Sequence, residues 1–109
     1  DIPVVAVDEI GNVITGLDNG SLENLAPSLE LSGPAGSLLA RKGDKFDDVQ
    51  EGEAVFYKGS KGLVEVAVNM GNAAEGLGIS GQEVELDGGN PSLSLRVSMR
   101  AGNASVRAA

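Results

Sequence analysis

The chain has 109 residues, with 16 Gly, 4 Pro and no Cys, Trp or His. That length suits one domain, and the missing residue types exclude disulfides, thiolate nucleophiles, iron–sulfur clusters, imidazole metal sites and Ser–His dyads. A net charge of −8 makes a surface that repels nucleic acid and anionic membranes, so neither is an expected partner.

Val, Ile, Leu and Phe supply 30 residues, enough for a core that must be aliphatic. Only Phe46, Phe56 and Tyr57 are aromatic. Residues 3–8 are apolar and β-branched and read as a buried strand. Gly11-Asn12 makes a turn, and residues 13–17 form a second strand. The break at 18–20 precedes a short helical turn over 22–25, capped by Ser21 and ended by Pro27. Residues 28–32 alternate as a half-buried strand. The turn Gly33-Pro34-Ala35-Gly36 returns the chain as a hairpin partner over 37–41.

Residues 42–53 form the most charged loop. A strand follows over 54–57, then a polar, Gly-flanked loop over 58–62. Residues 63–68 are the clearest strand in the chain. The turn at 69–72 leads into a short helix ending at Leu77. Residues 81–86 and 93–100 alternate as two more strands, and the last nine residues are expected to fray. Short strands separated by Gly, Asn and Pro predict an all-β fold, a small antiparallel barrel of Greek-key type. Helix is confined to about 21–25 and 72–77. No apolar run approaches the roughly 20 residues of a membrane span.

The carboxylate groups read as surface charge. Asp44, Asp47, Asp48 and Glu51 lack the spacing and central Gly of an EF-hand loop, so no metal is expected. Ser60 beside Lys61 could bind a carboxylate through its hydroxyl and an ammonium. Taken alone, the loop is an ordinary hairpin connection.

Taken together, these residues resemble a family. Residues 5–17, with Asp8, Gly11, Asn12 and Thr15 in order, are similar to the "ID-x-FGN-x-x-TNI" signature. That signature opens the C-terminal domain of the S-adenosyl-L-methionine hydroxide adenosyltransferase family, which includes the halogenating enzymes using the same cofactor. A longer block runs from Glu51-Gly52-Glu53 through Ser60 to residues 63–78. It resembles "GE…NS-x-G-x-LEIAVN-x-GNAA-x-x-LG". Gly81-Gln82-Glu83-Val84 fits the closing "GD-x-V". The resemblance covers about residues 4–87. It implies a family barrel over 1–87 and an extension over 88–109, with an extra strand and frayed tail in the same domain.

The resemblance also implies a role. In this family the C-terminal barrel supplies half of an S-adenosylmethionine site. It faces an N-terminal domain, usually of a neighbouring subunit, so a homo-oligomer is implied. The adenine-contacting Asn falls on Asn12 and the methionine-contacting Ser on Ser60. Lys61 takes the place of an Arg that holds the carboxylate in halogenating members. Backbone near the "VN-x-G" turn points to Val68, Asn69 and Met70. S-adenosylmethionine is then a substrate, hydrolysed to adenosine and methionine. The catalytic Asp and the ribose-binding carboxylate belong to the N-terminal domain, so this chain supplies no catalytic residue and is expected to be inactive alone.

Three departures bear on that role. The motif Phe is Ile10, which removes an aromatic wall beside the nucleobase. The Asn after Thr15 is Gly16, and the Asn before Ser60 is Gly59. If one ligand is shared, Asn12 and Ser60 belong on one rim, with the turn at 69–71 between or beside them. An unpaired half-site also implies an exposed apolar patch near Ile10, Val68 and Met70. A start at Asp1 without Met is expected of a processed product, an excised domain or a trimmed piece; the setting expected is cytoplasmic, and that start leaves secretion open. The competing reading is a non-catalytic structural or interaction barrel, part of a secreted assembly.

Overall fold

The computed structural model describes residues 2–79 and 94–98. Seven strands form one closed barrel: β1 (Ile2–Val7), β2 (Val13–Asp18), β3 (Ser28–Ser32), β4 (Ser37–Lys42), β5 (Ala54–Lys58), β6 (Leu63–Val68) and β7 (Ser94–Ser98). Around the barrel their order is β1-β2-β6-β5-β4-β3-β7. The fold is thus the small all-β barrel that the alternating pattern predicts. β7 pairs with both β1 and β3 and closes the sheet, so the strand expected in the extension completes the barrel. The strand expected at 81–86 and the frayed tail lie outside the described residues.

One pairing departs from the antiparallel expectation. β4 and β5 run parallel, with Ala40 opposite Ala54 and Lys42 opposite Phe56. A tight hairpin cannot join parallel neighbours. The charged segment between these strands is the crossover that brings the chain back to the start of β5.

Local chemistry also moves the first helical turn. It is a 3₁₀ turn over Asn19–Asn24, and its cap is Asp18 rather than Ser21. The Asp18 carboxylate accepts from the Ser21 amide at 3.1 Å and from its hydroxyl at 3.0 Å. A second 3₁₀ turn, Phe46–Asp48, sits inside the crossover. Helix α1, Ala73–Leu77, lies where the sequence predicts it, with the Asn72 side chain as its cap.

Most apolar residues fill the barrel. Val4, Val13, Leu29, Leu31, Phe56, Val64 and Val66 are buried there, and Leu77 of α1 plugs one side. A smaller cluster lies on the outside of β5 and β6, where Val55 and Ala67 pack with Val49 of the crossover and with Tyr57. This second cluster explains why four consecutive residues of β6 are buried, against simple alternation. It also defines a covered outer face, and the candidate site lies there.

Candidate functional site

The outer face of β2, β6 and β5 ends in two rigid connections that present side chains over it. The first is the turn before β2. The Asp8 carboxylate accepts from the Ile10 amide at 3.1 Å and the Asn12 amide at 2.9 Å. The Asp8 amide donates to the Asn12 carbonyl at 3.0 Å. Gly11 takes a φ of +88°, and its carbonyl accepts from the Ala74 amide of α1 at 2.9 Å. Asp8 therefore fixes the loop, and α1 supports it from behind. Ile10 projects with 69% of its surface exposed.

The second connection is the turn after β6. Asn69 is its anchor. The side-chain amide donates to the buried Val49 carbonyl at 2.8 Å, and the backbone exchanges hydrogen bonds with Glu53 and Gly52. The Gly71 amide closes the turn on the Val68 carbonyl at 3.0 Å. Met70, next in the chain, is held at a φ of +58° and is 77% exposed. That left-handed conformation is costly for a non-Gly residue, roughly 1–2 kcal/mol. Met70→Gly is therefore expected to stabilise the domain by about 0.5–1 kcal/mol after the added chain entropy of Gly, while removing one wall of the cleft. Thermal unfolding beside ligand titration checks both halves; a Met70→Gly variant less stable than the wild type would refute the strain.

Between these turns lies a cleft of about 330 Å³. Asn12, Val68 and Met70, three of the residues that the resemblance assigns to ligand contacts, line it. Ile10, Phe46, Tyr57, Ala67 and Gly71 complete it. Ile10, Phe46 and Met70 are three of the four exposed large hydrophobic residues among the described ones. An apolar exposed patch thus surrounds this cleft, with Val68 half-buried beneath it.

Two features of the site differ from expectation. The first is aromatic: Phe46 of the crossover and Tyr57 of β5 line the cleft together with Ile10. Neither stood out in the sequence: Phe46 sits among charges, and Tyr57 ends an apolar strand.

The second difference concerns Ser60 and Lys61. They are exposed residues on the β5–β6 turn, away from the cleft lining. Ile14 pairs with Glu65 and Val13 with Val66, so Asn12 falls level with Ala67 near the C-terminal end of β6, whereas Ser60 lies in the turn before its N-terminal end. At a strand rise of about 3.3 Å per residue, this separates them by roughly 13 Å or more along the sheet. Asn12 shares the rim of the turn at 69–71, and Ser60 does not. An elongated ligand, with a base at one end and a charged tail at the other, would have to run across Tyr57 and Glu65 to touch both.

The Ser60–Lys61 turn is itself well held. The Asn19 side chain accepts from the Gly59 amide at 3.1 Å and donates to its carbonyl at 2.9 Å. The Asn19 amide also donates to the Gly62 carbonyl at 2.9 Å. Sequence reading missed this clamp because it saw Asn19 only as a strand breaker.

Between the two ends of the face lies an electrostatic cluster. Tyr57 and Glu65 are direct cross-strand partners, and each acts on the ionisation of the other. Burial raises the Glu65 pKa above its ordinary value, and the negative charge of Asp8 adds to this; Lys61 and the Tyr57 hydroxyl pull the other way. Burial, then the Glu65 and Asp8 charges, raise the Tyr57 pKa. No group of His, Cys, Asp and Glu arranged to hold a metal occurs among the described residues.

Residues 2–85 match the family described as the SAM hydroxide adenosyltransferase C-terminal domain. This chain belongs to that family. It is 38% identical over 82 residues to the (R)-S-adenosyl-L-methionine hydrolase of Thermus thermophilus, covering 70% of this chain and 27% of that protein. Among solved structures, an uncharacterized conserved protein from Thermotoga maritima superposes with a TM-score of 0.70 at 22% identity, covering 89% of this chain and 35% of that one. A conserved hypothetical protein from Thermus thermophilus gives 0.57 at 31% identity, covering 89% and 34%. The chain therefore spans only about a third or less of these relatives. As a C-terminal domain of the adenosyltransferase family, it carries the barrel, and the cleft lies on that barrel's outer face.

Proposed function

We propose that this domain is the substrate-positioning half of an S-adenosylmethionine hydrolase. The observation that carries the reading is the cleft, where Asn12 stands beside two aromatic rings and an exposed thioether at one end of a face that leads to Ser60 and Lys61. Adenine is flat and apolar on its faces and polar at its edge. Phe46 and Tyr57 suit the faces by stacking and dispersion. The Asn12 amide suits the edge, since it both donates and accepts. Lys61 at the far end offers a point charge for the methionine carboxylate, and Ser60 a hydroxyl. The cofactor is thus a substrate held across Tyr57.

In this reading the domain orients the ribose C5′ toward a water or hydroxide activated by an N-terminal domain, of the same or a neighbouring subunit. Positioning of this kind can supply much of a rate enhancement without any catalytic group on the positioning side. Ile10, Phe46 and Met70 are then the surface that the other domain covers in a homo-oligomeric enzyme. A cytoplasmic setting follows from the same reading.

The test is titration of the labelled domain with adenosine and with S-adenosylmethionine, followed by backbone amide shifts. Both ligands are expected to move Asn12, Tyr57 and Met70, and only S-adenosylmethionine to move Ser60 and Lys61 as well. Binding will be weak, because half of the burial is missing. Asn12→Ala is expected to weaken adenosine binding about fivefold to tenfold, the worth of one or two hydrogen bonds in a partly desolvated cleft. Shifts scattered away from the cleft, or none with either ligand, would leave the non-catalytic module as the better account.

A further inference from the structure

Glu65 is the only acidic side chain among the buried described residues, with 8% of its surface exposed. It points to the outer face of β6, opposite Tyr57 on β5 and Ile14 on β2. A Cβ added at Gly59 would collide with a Glu65 carboxylate oxygen and with the Leu63 carbonyl. The carboxylate is therefore seated in the space that this glycine leaves open. The same glycine is the residue clamped from the other side by Asn19. One buried carboxylate thus sits across from the residue whose ring lines the cleft and against the turn that carries Ser60 and Lys61.

We propose that Glu65 is a positioning residue for the substrate face: it holds the Tyr57 hydroxyl on one side and the Ser60–Lys61 turn on the other, so that the ring and the turn present themselves to one ligand together. The ligand in this statement rests on the S-adenosylmethionine reading above. The geometric part does not.

The energetics support a positioning role rather than a stabilising one. Burial and the Asp8 charge outweigh the relief from Lys61 and Tyr57, so the ionised form of Glu65 is disfavoured in the folded domain. A carboxyl with a raised folded pKa binds more protons folded than unfolded. Its contribution to stability is therefore largest in acid and declines as pH rises from the ordinary carboxylate value through the raised one. At neutral pH the charge costs stability. The groups facing it are Tyr57 on β5, Asp8 on the turn before β2 and Lys61 on the β5–β6 turn. Retaining a costly buried charge between two ends of a site is the pattern expected of a functional residue.

Tyr57 is the sole Tyr, and the chain has no Trp, so intrinsic tyrosine emission reports Tyr57 alone. The experiment compares the wild-type domain with Glu65→Gln. The wild type is expected to show a Tyr57 emission transition at mildly acidic pH, above the ordinary Glu range, as the neighbouring carboxylate titrates. Glu65→Gln should abolish that transition, shift the Ser60 and Lys61 amides, and unfold at the same or a higher temperature at neutral pH. S-adenosylmethionine binding should weaken by about threefold to tenfold, with adenosine binding changed less than about twofold, since only the longer ligand needs both ends of the face. Lost stability with unchanged relative affinities would mark Glu65 as merely structural and overturn the proposal. So would unmoved Ser60 and Lys61 amides. If the wild type binds neither ligand, the S-adenosylmethionine reading fails, while the emission transition and the two amide shifts still decide whether Glu65 couples the ring to the turn.

Discussion

Gly11→Ala is expected to destabilise the domain by about 2–4 kcal/mol, the sum of a backbone term, a steric term and a lost cap. Gly11 sits at a φ of +88°, where an L side chain is strained by about 1–2 kcal/mol. Its new Cβ would also collide with the Asn72 side chain. Asn72 can move, but its side chain accepts from the Glu75 amide at 2.8 Å and caps α1. Loss of such a cap costs about 1 kcal/mol. Gly52→Ala is the control. Gly52 has nearly the same φ, +86°, and a Cβ there would meet nothing within 4 Å. It should lose only the backbone term, about 1–2 kcal/mol. Urea unfolding of both variants separates the contributions. Equal losses would mean that the contact with Asn72 is unimportant. A further effect should follow at the site, because Gly11 is the link between Asp8 and Asn12. Adenosine binding should fall in Gly11→Ala even under conditions where the variant is fully folded.

The barrel was legible because its strands alternate and its turns carry Gly, Asn and Pro at the needed places. Residues 28–32 and 63–68 could be bounded to the residue for that reason. The parallel pairing of β4 with β5 was not legible, since nothing local distinguishes a crossover from a long hairpin loop. Sequence also could not tell that the crossover folds over the outside of β5 and β6. That covering buries Val55 and Ala67 and turns Tyr57 and Phe46 into cleft walls. Among cleft residues, Asn12, Val68 and Met70 could be singled out because motif order survives in the chain. Tyr57, Phe46 and Glu65 were missed because their surroundings depend on which strands lie side by side. The separation of Asn12 from Ser60 is likewise a consequence of register, which sequence spacing does not encode.

Asn69, singled out by its motif, is buried and does not line the cleft. Its side-chain amide is spent on the Val49 carbonyl, 20 residues away in sequence, and the residue is buried. That bond ties the turn carrying Met70 to the end of the crossover carrying Phe46, so it sets the width of the cleft. Asn69→Ala leaves a buried carbonyl without its donor, and a loss of about 1–3 kcal/mol is expected. Asn69→Asp should be worse at neutral pH, by about 3–5 kcal/mol, because an unpaired carboxylate would face a carbonyl oxygen. Protonation restores a donor to that side chain, so the Asp variant should regain stability as pH falls. The sign follows from linkage: the folded pKa of the new carboxyl lies above its unfolded value, the folded state binds more protons, and stability drops as pH rises through that window. Unfolding midpoints for the wild type and both variants at acidic and neutral pH provide the measurement. A pH-independent Asp variant, or an Ala variant as stable as the wild type with unchanged adenosine affinity, would remove Asn69 as the tie between the turn and the crossover.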